Sequence, residues 1–256
     1  MKIGFLITAR MKSTRLPRKL TLKIDGREMI TWMVDRLKLC KVLNEIIIAT
    51  STNPQDDILC QIAKRENVKC FKGSEDDVVE RLYEAAKFFK IDYMINITAD
   101  CPLVGYDFIE DVVEEYKKTN ADLITAFDLP HGFYVYGFKL SAVKKVIEIK
   151  DETDTELWGK YLIETGLFKV INLKTPTELV RKNYRLTLDY PEDYEFFKVL
   201  FKNMGKDTYK KSTRDIIEFL DKHPEIVRIN EHCEEWFNKN IAGQKTPVKL
   251  KSNLKK

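Results

Sequence analysis

TARMKSTRLPRKLTL, residues 8–22, is the stretch on which the reading of the chain turns. The apolar run at 3–7 precedes it and reads as a buried strand. Apolar residues at helical spacing over 29–39 follow it and predict a helix. Between them stand five cations in ten residues: Arg10, Lys12, Arg15, Arg18 and Lys19. Open α/β sheets bind ligands at the carboxyl ends of their strands, so cations in the loop after a first strand suit an anionic ligand. Arginine offers phosphate a planar fork, and lysine offers a compact point charge. The string is neither GxxxxGKS/T nor GxGxxG. Charge alone also fits a solvated loop.

Outward from this loop the pattern alternates. Asp25-Gly26 marks a turn. Strands are predicted at 45–50, 68–71, 93–98 and 123–126. The helices between them are 29–39, a segment capped by Asn53 with Pro54 at its first position, 75–89 capped by Ser74, and 106–117. Near-continuous apolar strands with short connections predict a mostly parallel sheet covered by helices on both faces. The second half is less regular. It predicts strands at 131–139, 168–173 and 185–188, and helices at 140–149, 157–165, 191–203 and 213–221, with a short one from Pro224. Acid-rich DETDTE, 151–156, reads as a turn.

The chain of 256 residues can bury a substantial core, and its 44% apolar and 33% charged residues are those of a globular protein. No run of about 18 apolar residues occurs, so no membrane partner is expected. The first strand begins too early for a signal peptide. Five scattered cysteines without a C-x-x-C suggest reduced thiols in a cytoplasmic protein. Three histidines show no metal-ligand spacing. The net charge of +4 is concentrated at the end of the chain. Six lysines and no acids lie in 236–256, and removing six positive charges leaves −2. That stretch reads as a basic flexible tail after a single domain of 1–235, and no nucleic-acid partner is expected.

Two aspartates stand out. Asp100 closes the strand at 93–98 and precedes Cys101-Pro102-Leu103, and Asp189 follows the late strand and precedes Tyr190-Pro191-Glu192-Asp193. A carboxylate beyond a central strand sits where ligands bind. Each also reads as a capping or helix-initiating residue.

The loop string A-R-x-x-S-T-R-L-P-x-K resembles the phosphate-binding loop of cytidylyltransferases that activate sugar acids, such as CMP-Kdo synthetase, and of the spore coat polysaccharide protein F family. Ala9, Arg10, Ser13, Thr14, Arg15, Leu16, Pro17 and Lys19 carry the match; Arg18 stands where CMP-Kdo synthetases usually carry Gly. The helix and turn at 216–226, followed by Ile229-Asn230, resemble the end of the spore coat family, so the likeness spans roughly 1–232.

The resemblance implies a three-layer α/β sandwich like that of the nucleotide-diphospho-sugar transferases. It has a nucleotide half at 1–127 and an acceptor and dimer section at 128–182. It implies transfer of CMP from CTP to an anionic acceptor in surface polysaccharide synthesis, with Mg²⁺ held by Asp100 and Asp189. Tyr190 replaces the more usual Thr after the second aspartate. Arg10, Arg15, Lys19 and Asp100 are the candidate catalytic residues. Thr8, Ala9, Ser13, Ser51, Ser74 and Arg81 join them around the nucleotide. GSEDDVVER, 73–81, resembles a further block of the spore coat family, and also reads as a capped helix with a solvated acidic turn. His131, Tyr134 and Glu156 are candidates for the acceptor side. An R-E-H run frequent there in the spore coat family is replaced by Asp154-Thr155-Glu156. A homodimer is implied by analogy. Two other readings remain at this level: a sugar-phosphate nucleotidyltransferase using another nucleotide, and a non-catalytic nucleotide-binding protein.

Overall fold

The structure is a computed structural model that describes residues 1–243 and 247–252, with side chains described for 1–239 and 247–252. Strand β1 (Ile3–Thr8) is an interior strand, third in order, of a seven-stranded sheet. It pairs in parallel with β4 (Glu45–Ser51) on one side and β6 (Tyr93–Thr98) on the other. Beyond β4 lies β5 (Lys69–Gly73), also parallel. Beyond β6 lie β8 (Tyr136–Lys139), β7 (Leu123–Thr125) and β9 (Val170–Asn172). Strand β8 runs antiparallel to both its neighbours, and β9 is parallel to β7. A separate two-stranded hairpin, β2 (Lys23–Ile24) and β3 (Arg27–Glu28), turns at Asp25 and Gly26, both at positive φ. This is the pairing that a two-residue hairpin turn favours.

The side chains of β1 explain the layers. Phe5 and Ile7 point to one face, into a core with Ile30 and Val34 of α1 (Met29–Leu37), Leu59 of α2 (Asp57–Arg65) and Val112 of α4 (Ile109–Thr119). Leu6 points to the other face, among Val79 and Leu82 of α3 (Val78–Phe88) and Val146 of α5 (Leu140–Ile149). Phe5, Leu6 and Ile7 have no exposed surface, and burying each contributes about 1.5–3 kcal/mol. A third core packs α7 (Pro191–Met204), α8 (Thr213–Lys222) and α9 (Pro224–Val227) behind Trp32 of α1, through Phe196, Phe201 and Ile217. A short α6 (Gly159–Glu164) precedes β9, and α10 (Glu231–Gly243) follows α9.

The mostly parallel sheet covered on both faces is therefore as the sequence predicts. Several local expectations differ. The strand expected at 131–139 is confined to Tyr136–Lys139, because Gly132 adopts φ +103° and its backbone comes against Leu186; a Cβ there would lie 2.2 Å from the Leu186 carbonyl oxygen. The strand expected at 185–188 forms only a bridge between His131 and Arg185, together with a bond from Leu188 N to the Asp100 carbonyl. Helix α3 starts at Val78 with Asp77 as its cap, accepting from the Glu80 N–H, whereas Ser74 accepts from the Asp77 N–H one turn earlier.

Cys60 and Cys70 are joined by a disulfide, contrary to the expectation of reduced thiols. Packing of α2 along β5 brings their Cα atoms to 5.3 Å, within bonding reach. The stretch read as a tail from 236 begins inside α10. Further on, the Lys249 carbonyl accepts from Asp151 N and Lys251 N donates to the Ile149 carbonyl. The remaining parts of that stretch, 244–246 and 253–256, lie outside the described residues. No helix among the described residues is long and apolar enough to cross a membrane.

Candidate active site

The chain runs from β1 outward to β4 and β5, then returns to β6 on the other side of β1. The loops leaving β1 and β6 therefore part in opposite directions, and a crevice opens at the carboxyl edge between them. The loop after β1 is tied down at its start. Ala9 N donates to the Ala49 carbonyl, and Met11 N donates to Asp56 Oδ1 at 2.7 Å. Its far end tightens into a 3₁₀ turn, Lys19–Thr21, entered through Arg18 at φ 57°. That turn aims Lys19 back at the crevice.

Lys19 Nζ lies 2.6 Å from Asp100 Oδ2 and 2.9 Å from Asp189 Oδ1. Arg15 reaches the same Asp189 oxygen at 3.0 Å and lies over the Tyr190 ring. Burial alone would lower the Lys19 ammonium, but the two carboxylates outweigh it and raise it. Burial would raise Asp189, but Lys19, Arg185 and Arg15 hold it well below the usual carboxylate range. The second Asp189 oxygen accepts from Arg185 NH2 at 2.7 Å. Each aspartate thus turns one oxygen toward a single cation position. Asp100 and Asp189 are the pair that could hold a divalent ion. Among the described residues no group of three or more His, Cys, Asp or Glu is placed to hold one.

Two adjoining cavities open here. A charged crevice of about 430 Å³ is lined by Arg10, Ser13, Arg15, Lys19, Asp100 and Asp189. An aromatic pocket of about 420 Å³ lies beside it, with Thr8, Tyr134, Tyr136 and Trp158 in its wall. His131 and Glu156 line both. Of the sequence candidates, Ala9, Ser51, Ser74 and Arg81 stand behind these surfaces. The Ser51 hydroxyl donates to Asp56 at 2.5 Å. Arg81 donates to the Ser74 and Glu75 carbonyls, and Arg10 shares the Glu75 carbonyl. Burial and the neighbouring Arg10 lower Arg81 to about 10.

Sequence reasoning missed the buried support of Asp189. Arg185, fully buried, binds Asp189, Asp193 and Glu234 through its three nitrogens. Asp193 also accepts the Asp189 and Tyr190 N–H groups and Asn230 Nδ2. The available signal was spacing: Arg185, Asp189 and Asp193 stand four residues apart. Glu234 and Phe237 come from α10, and no local pattern connects them to the site.

A mostly parallel sheet with a cationic loop and two converging carboxylates at its switch point has the make-up of an α/β nucleotide-binding protein. A model of the family described as cytidylyltransferase matches residues 5–216, and the chain belongs to that family. It is a CTP-dependent nucleotidyltransferase. An uncharacterized protein of Methanocaldococcus jannaschii is 35% identical over 92% of this chain and 97% of its own length. The spore coat polysaccharide biosynthesis protein SpsF of Bacillus subtilis is 26% identical over 88% of this chain and 96% of its own. The solved structure of a cytidylyltransferase from Leptospira borgpetersenii superposes with a TM-score of 0.81 at 31% identity, covering 89% of this chain and 97% of that one.

Proposed function

We propose that the enzyme transfers CMP from CTP to an acidic sugar or a phosphorylated small acceptor, releasing pyrophosphate, in surface polysaccharide or glycoconjugate synthesis. The similarity to the SpsF protein supports the pathway class, and the likeness of the loop to CMP-Kdo synthetases supports an acidic acceptor. The observation that carries the reading is Lys19 held between Asp100 and Asp189 at the switch point. An acceptor oxygen attacks the α-phosphorus of CTP, the bond to the β-phosphate oxygen breaks, and pyrophosphate leaves.

In this reading Arg10, Arg15 and Lys19 bind the triphosphate and stabilise the charge that gathers on the leaving group. Ser13 shapes the crevice wall next to them, Thr8 lines the adjoining pocket, and Ala9 backs the loop from beneath. Ser51, Ser74 and Arg81 hold the strand ends beneath the nucleotide. Asp100 and Asp189 present only oxygen, one atom each toward one cation position. That fits Mg²⁺, which takes few protein carboxylates and fills its shell with water and phosphate. When bound, Mg²⁺ would offset phosphate charge. His131, Tyr134 and Glu156 face the acceptor. An acceptor phosphate is ionised at neutral pH and needs no general base, whereas a sugar-acid hydroxyl gives up its proton to water as its oxygen attacks. The protein is read as cytoplasmic and homodimeric.

The test is pyrophosphate release with Mg²⁺, comparing CTP with ATP, GTP and UTP over sugar acids, sugar phosphates, polyol phosphates and small phosphorylated metabolites. Release with CTP and one acceptor class is expected. Release with another nucleotide alone would overturn the base assignment. Absence of both turnover and CTP binding would overturn the reading.

A further inference from the structure

The charged crevice and the aromatic pocket share Thr98, His131, Glu156, Leu157 and Phe237. Phe237 belongs to α10, which lies outside the residues 5–216 that match the family model. Its ring is fixed from several sides. Its centroid is 4.9 Å from that of His131, and the Arg185 guanidinium lies 5.0 Å from its centre. One turn earlier on the helix, Glu234 binds Arg185 NH1 at 2.7 Å and His131 Nδ1 at 3.0 Å, and Cys233 is fully buried. The helix is therefore anchored to the same arginine that braces Asp189.

The transfer reaction joins an acceptor atom to the α-phosphorus. If the triphosphate lies in the charged crevice, the acceptor must cross the seam that Phe237 borders. Across the pocket stand Tyr134, Tyr136, Phe138 and Trp158. Aromatic faces stack on the C–H groups of a ring, whereas a face crowded with hydroxyls would lose its water without gaining partners. We infer that Phe237 is a specificity-determining residue, selecting an anionic acceptor with an apolar face such as deoxy carbons or an acyl group, and that Glu234 is the positioning residue that sets its ring. This rests on the cytidylyl-transfer reading.

Two measurements test it. The first needs no turnover: titration with anilinonaphthalenesulfonate, an anion with apolar rings, followed by dye fluorescence. The wild type binds it saturably, and Phe237→Ala weakens binding at least threefold, whereas Phe237→Tyr retains it. Phe237→Leu serves if the alanine variant does not fold. The second is kinetic. Phe237→Ala and Glu234→Gln raise the acceptor KM at least tenfold and leave the CTP KM within twofold. Absence of saturable dye binding, an unchanged dye affinity in a folded Phe237 variant, or an unchanged acceptor KM would overturn the inference. Dye binding that depends on Phe237 in a protein that neither releases pyrophosphate nor binds CTP would uphold the pocket assignment and reject the transfer reading.

Discussion

Lys19 Nζ lies 2.9 Å from Asp189 Oδ1 across 170 residues of chain, and the same nitrogen reaches Asp100. The cation of the first loop and the carboxylate of the loop before α7 therefore meet at one point. Replacing Lys19 by Ala removes a charge-assisted contact, worth about 1.5–3 kcal/mol, from the triphosphate. CTP affinity is expected to fall by about one to two orders of magnitude. Calorimetric titration with CTP checks this, and an unchanged affinity would remove Lys19 from the phosphate site.

The same pair predicts how stability depends on pH. The Asp189 carboxyl lies below its unfolded value of about 3.9 because Lys19, Arg185 and Arg15 outweigh the effect of burial. A depressed carboxyl contributes its stability in full above the unfolded value and loses it as pH falls toward the folded one. The Lys19 ammonium is raised, so its contribution is complete below about pH 10 and lost above it. Between about pH 5 and pH 10 the pair should leave stability flat. Asp189→Asn should flatten the acid limb below pH 5. Thermal midpoints from pH 3 to 8 on both proteins decide it, and parallel acid limbs would reject the assignment.

Arg185 is the buried counter-charge for three carboxylates at once, at 2.7 Å from Asp189, 3.0 Å from Asp193 and 2.7 Å from Glu234. Arg185→Met would strand those acids away from solvent. A loss of about 3–5 kcal/mol is expected, as when one partner of a buried pair is removed. Arg185→Lys should recover little, because one ammonium cannot serve three acids in a planar fork. Urea unfolding of the two variants measures both. A loss below 1 kcal/mol for the methionine variant would show that the cluster relaxes or hydrates.

The first half of the fold was legible because its signals are local. Residues 3–7 form one apolar run, Asn53 caps its own turn through the Gln55 N–H, Lys19 lies in the loop that leaves β1, and Asp100 lies just beyond β6. What escaped was non-local. Nothing near Arg185 announces Glu234, 49 residues away. Cys60 and Cys70 look like scattered thiols until β5 is laid along α2. The strand expected at 185–188 has the right composition, but its backbone bonds go to His131 and Asp100 instead of a ladder. Ser74 satisfies the rule for a helix cap, and Asp77 satisfies it equally well. The start of α3 is settled by Arg81, which takes the Ser74 and Glu75 carbonyls and holds 74–76 as a turn.

Arg18 carries a last prediction. It occupies the left-handed region at φ 57°, ψ 25°, at the entry to the turn that presents Lys19. An L-residue with a Cβ pays about 1–2 kcal/mol there, and glycine pays none. This gives a physical reason for the glycine usual at the equivalent position of CMP-Kdo synthetases. The Arg18 carbonyl accepts from the Thr21 N–H and hydroxyl, bonds that a glycine backbone would keep. Its exposed guanidinium makes no ion pair among the described residues. Against the gain stands the greater freedom of glycine in the unfolded chain, roughly 0.4–1 kcal/mol. Arg18→Gly is therefore expected to stabilise the protein by about 0.5–1 kcal/mol and to leave CTP affinity within twofold. Chemical denaturation and calorimetry on the variant provide the check. A destabilised protein would mean that the arginine side chain offsets the strain. A large loss of CTP affinity would mean that Arg18 belongs with Arg10, Arg15 and Lys19 among the phosphate contacts.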